Sequence, residues 1–120
     1  DRDVESARAA VRDTMADYIA WGEIPEDRAE AIGMSREEFR RLTAEMADAY
    51  SRGDRGSMRK AVPEGLVDTL SITGTPEACV EALLPFAEAG ATTLIPYHVL
   101  GASRVGGLET IARDIIPKLM

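Results

Sequence analysis

Apolar residues recur along the start of the chain at spacings of three and four. Val4, Ala7, Val11, Met15 and Tyr18 make one stripe, which predicts an amphipathic helix from about Val4 to Trp21. Asp3 suits its N-cap and Glu5 the positive end of its dipole. Gly22 ends it, with Pro25 soon after. A short helical turn is expected over Pro25–Ile32, stopped by Gly33. Ser35-Arg36-Glu37-Glu38 then reads as a capping box opening a second long helix, which runs to about Arg52. Its buried stripe is Phe39, Leu42, Met46, Ala49 and Tyr50, and Gly53 terminates it. Two short helices follow, one near Arg55–Ala61 and one starting at Pro63 that carries Leu66, Val67 and Leu70.

The pattern changes after Ser71. Thr75-Pro76-Glu77 starts a helix, with Thr75 as cap and Pro76 in the first turn, and Gly90 closes it after Ala89. Val80, Leu83, Leu84 and Ala87 are placed to face a core. Pro85 lies inside this helix and removes one backbone bond. Thr92–Tyr97 is β-branched and apolar on both faces, which predicts a buried strand of the parallel-sheet kind, with pairing interrupted at Pro96. Gly101, Gly106 and Gly107 predict a flexible loop, and Leu108–Leu119 a closing helix limited by Pro117.

This order of helix, strand and helix is the grammar of a (β/α) barrel or a doubly wound sheet. One strand makes no sheet, and the first residue is Asp rather than Met. The chain is therefore expected to be the end of a larger catalytic domain.

The totals narrow the function. A chain of 120 residues with 45% hydrophobic and 29% charged residues is expected to be an ordinary soluble domain. The net charge of −7, with Arg52, Arg55, Arg59 and Lys60 set among carboxylates, argues against nucleic-acid binding. No apolar run approaches the ~20 residues that span a bilayer, so no membrane partner is expected and a cytoplasmic location is. Cys79 is the single cysteine, which rules out an intrachain disulfide; it reads as an inert buried thiol. Glu37, Glu38 and Glu45, like Asp13 and Asp17, read as solvated faces rather than metal ligands, because no histidine accompanies them; no metal is expected.

Four positions are candidates for binding cofactor or substrate. His98 is the only histidine and lies just past the end of the expected strand, on the active-site side if the strand belongs to a barrel. Tyr97 precedes it and points to the opposite face if the strand is regular. Gly101 and Arg104 belong to a glycine-rich run that leads into a helix start, where amides and a positive charge suit an anion. The bland readings stand beside these: a loop histidine held by a backbone carbonyl, and a flexible surface loop. Tyr18, Trp21 and Tyr50 read as core aromatics. No catalytic residue is identified.

Val67-Asp68-Thr69-Leu70-Ser71-Ile72-Thr73-Gly74-Thr75-Pro76-Glu77, followed by Glu88-Ala89-Gly90-Ala91-Thr92, resembles the C-terminal end of luciferase-like monooxygenases. That group includes flavin-dependent monooxygenases and oxidoreductases that use a deazaflavin coenzyme. The resemblance covers Val4–Leu119 in layout and Val67–Thr92 in motif; Pro85 departs from the family's uninterrupted helix.

It implies a mostly helical α/β fold: the C-terminal portion of a (β/α)8 barrel, incomplete by itself. Residues 1–70 would be a helical insertion or lid, and 71–120 the final helix, strand and helix. It also implies an oxidoreductase acting on a small-molecule substrate with flavin mononucleotide or a deazaflavin coenzyme, in a homo-oligomer. The isolated segment is expected to be inactive and not to bind the coenzyme alone. A different class stays open: a stand-alone, non-catalytic helical interaction or assembly module, its strand exposed for pairing.

Overall fold

A computed structural model describes residues 3–98 and 101–120. The described chain is mostly helical. Its helices are α1 (Val4–Ala20), α2 (Asp27–Glu30), α3 (Arg36–Ser51), α4 (Arg55–Ala61), α5 (Glu64–Leu70), α6 (Pro76–Glu88), α7 (Arg104–Thr110) and α8 (Ile116–Leu119), with a π-helical turn over Ile111–Ile115 joining the last two. The chain divides into two compact units. One is Arg12–Ser71; the other combines Asp1–Val11 with Ile72–Met120, so α1 contributes a half to each.

The Arg12–Ser71 unit has a well-filled core. Ile19, Phe39, Met46, Met58, Leu66 and Val67 are its fully buried large side chains, joined by Met15, Ala16, Ala29, Ala49 and Val62. Each large apolar side chain taken fully out of water contributes on the order of 1.5–3 kcal/mol. The α3 stripe follows the spacing at Phe39, Met46 and Ala49, with Leu42 half-buried and Tyr50 exposed. In α1 the buried line drifts from Met15 to Ala16 and Ile19, and Tyr18 is only half-buried. Trp21 is 52% exposed, which corrects its reading as a core residue. It lies at the end of α1, one residue before a glycine at φ 72 turns the chain away.

Local signals explain the helix ends. The Ser35 hydroxyl accepts the Glu38 N–H at 3.2 Å, and the Glu38 carboxylate accepts the Ser35 N–H at 2.8 Å, so the capping box is complete. Asp54 caps α4 by accepting the Ser57 N–H at 3.1 Å. Ion pairs link elements across the surface: Arg59 with Asp13 at 2.5 Å, Arg55 with Asp17, Arg12 with Glu64 at 2.5 Å, and Arg40 with Glu26 at 2.7 Å. Such solvent-screened pairs orient helices more than they stabilise them. Gly65 marks a close approach: a Cβ there would lie 2.9 Å from Ile32 Cγ2.

The second unit buries far less. Ala7, Val11, Cys79 and Ile115 are its buried apolar residues, together with Pro76 on α6. Helix α6 packs on the π turn and α8. Val80 and Leu83 are half-buried, while Leu84 and Ala87, expected to face a core, are exposed. Pro85 sits within α6 without ending it.

Pro117 accounts for the π turn. It has no N–H to give, and its ring crowds the carbonyl four residues back, so the chain widens over Ile111–Ile115 before the last turn.

Two expectations are corrected here. Thr92–Tyr97 forms no strand among the described residues; it has no regular structure and is exposed. A β-strand exists only by hydrogen bonding to a neighbour, and β propensity alone supplies none. The closing helix begins at Arg104 rather than Leu108, so Gly106 and Gly107 are helical instead of a flexible loop. The reason is Ser103, whose hydroxyl accepts the Gly106 N–H at 2.9 Å. A Cβ on residue 106 would sit 2.8 Å from that oxygen, so a larger residue there would require the Ser103 hydroxyl to shift.

Candidate functional site

The stretch from Ala91 to Arg104 carries all four candidate residues, and exposed apolar residues as well. Ile95 is 78% and Tyr97 79% exposed, with Leu94 exposed between the two threonines and Ile95. Phe86 near the end of α6, and Val105 and Leu108 on α7, are exposed as well.

Tyr97 and His98 are brought together. Their ring centroids are 4.3 Å apart and the planes cross at 72°, an edge-to-face contact. This corrects the expectation that the two point to opposite faces. Alternation breaks at His98, whose φ of 51 puts it in the left-handed region, where histidine is one of the more tolerated non-glycine residues. Val99 and Leu100 lie outside the described residues. Gly101 returns with φ 136, a conformation only glycine adopts freely.

Arg104 is the first residue of α7 and is exposed. Its side chain extends from the helix start, but the Gly106 N–H there is already taken by Ser103. Part of the amide set that suits an anion is thus spent on the cap. The structure places Tyr97 and His98 in contact, and Gly101 and Arg104 follow in the chain after the undescribed Val99 and Leu100.

Away from this segment, Cys79 is buried, and burial pushes its thiol pKa up, which keeps it protonated. Among the described residues His, Cys, Asp and Glu form no group that could hold a metal ion, and no helix is long and apolar enough to cross a membrane. Tyr18, Trp21 and Tyr50, expected in the core, instead form a cluster on the Arg12–Ser71 unit in which Trp21 and Tyr50 are exposed and Tyr18 is half-buried. Trp21 meets Tyr18 edge-to-face at 6.0 Å and Tyr50 at 6.1 Å. Its sequence signal was the position of Trp21 next to Gly22, at the very end of a helix, where burial is least secure.

Comparison with known proteins bears on this arrangement. The family described as luciferase-like monooxygenase matches residues 1–93. Two similar proteins are both named 5,10-methylenetetrahydromethanopterin reductase. The one from Archaeoglobus fulgidus is 29% identical over 99% of this chain and 35% of its own length. The one from Methanopyrus kandleri is 26% identical over 98% of this chain and 32% of its own length. The chain thus spans about a third of the length of the curated relatives it matches.

Proposed function

This chain belongs to the luciferase-like monooxygenase family, and from that premise we propose that it forms the C-terminal portion of a (β/α)8-barrel oxidoreductase. Residues 1–70 would serve as the helical insertion and 71–120 as the last helix, strand and helix. The observation that carries this reading is the contrast between the two units. One buries Ile19, Phe39, Met46, Met58, Leu66 and Val67 fully, while the other leaves Phe86, Leu94, Ile95, Tyr97, Val105 and Leu108 exposed, three of them in the β-branched and apolar segment Thr92–Tyr97. A strand of that composition suits the middle of a parallel sheet, with a neighbour on each edge and helices on the outside.

In this reading Thr92–Tyr97 becomes the last barrel strand, and Tyr97, His98, Gly101 and Arg104 stand at its C-terminal mouth, the face where barrel enzymes carry their chemistry. The His98 imidazole would hydrogen-bond the coenzyme or substrate, Tyr97 would wall the pocket, and Gly101 and Arg104 would lie beside an anionic group. A flavin or deazaflavin coenzyme, when bound, supplies hydride transfer or dioxygen activation; the protein holds it, orients a small-molecule substrate and excludes water. The names of the two relatives favour a reductase using a reduced carbon carrier of the pterin type. A tricyclic coenzyme needs walls on several sides. The exposed Tyr97–His98 pair offers one, so coenzyme binding would require the rest of the barrel.

The test is a titration of flavin mononucleotide and of the deazaflavin coenzyme into two samples: the natural polypeptide that carries these residues, and the 120-residue chain alone. Saturable binding by the former only is expected. Tight one-to-one binding by the 120-residue chain would overturn the division of labour. Binding by neither, together with concentration-dependent self-association, would favour a non-catalytic assembly module, which the exposed segment would also serve.

A further inference from the structure

We draw no further inference here: the strongest candidate, the exposed aromatic cluster of Tyr18, Trp21 and Tyr50 at the end of α1 and along α3, carries nothing because nothing in the structure shows what covers it.

Discussion

Replacing Gly65 by alanine pits intrinsic helix preference against packing. Gly65 lies in α5, where alanine would on propensity alone be worth about 1 kcal/mol more than glycine. The added methyl, however, would lie 2.9 Å from Ile32 Cγ2 and 3.0 Å from Ile32 Cβ. The Cβ is fixed to the backbone and cannot rotate away, so α5 or the Ile32 segment must shift. Such overpacking costs about 1–3 kcal/mol. The net expectation is a loss of about 0–2 kcal/mol after the propensity gain is subtracted.

Gly56 provides the control. It is also helical, and the nearest atom to its added methyl is Asp54 Oδ1 at 3.8 Å. Gly56→Ala should therefore be neutral or stabilising by up to about 1 kcal/mol. Urea unfolding followed by the emission of Trp21, the only tryptophan, reads both variants. Ile32→Ala should recover part of the Gly65→Ala loss, because it removes the Cγ2 contact and leaves the Cβ contact. A Gly65→Ala midpoint at or above that of Gly56→Ala would refute the close approach of α5 to Ile32.

Two other outcomes follow from the caps and the loop. Glu38 is held below the usual carboxylate range by the backbone N–H of Ser35, Glu26 by its hydrogen bond to Arg40, and Asp54 by that to Ser57. Groups with lowered folded pKa values stabilise above their unfolded values, so stability should hold at neutral pH and fall as pH drops below about 4; Glu38→Gln should flatten that loss, and an unchanged acid limb in urea titrations at pH 3–5 would contradict the role. In the natural polypeptide, His98→Ala should lower turnover by about 10-fold or more if the imidazole serves in proton transfer, and unchanged kinetics would remove His98 from the site.

Much of the helical frame was legible because helix ends are local events. Ser35 with Glu38, Thr75 with Pro76, and the glycines after α1 and α3 act within four residues of themselves, so their meaning survives without knowledge of the fold. The start of α7 is less legible because Gly106 and Gly107 have low helix propensity, while the Ser103 cap that opens the helix acts against them. Core positions were less legible where they depend on distant partners. Leu84 and Ala87 have the right spacing on α6, yet burial requires a surface to meet them, and spacing says nothing about whether one exists. The same limit applies to Thr92–Tyr97: its composition describes a strand, and only a neighbour makes it one. The contact of Tyr97 with His98 was hidden because it turns on a single left-handed residue.

The account rests most directly on the state of Thr92, Thr93, Leu94 and Ile95. Amide hydrogen exchange of the natural polypeptide, resolved at these residues and compared with the 120-residue chain, tests it. Strong protection in the former and rapid exchange in the latter is the predicted result, since a central barrel strand is hydrogen-bonded on both edges and an exposed irregular segment on neither. Rapid exchange at all four amides in both samples would contradict the barrel reading.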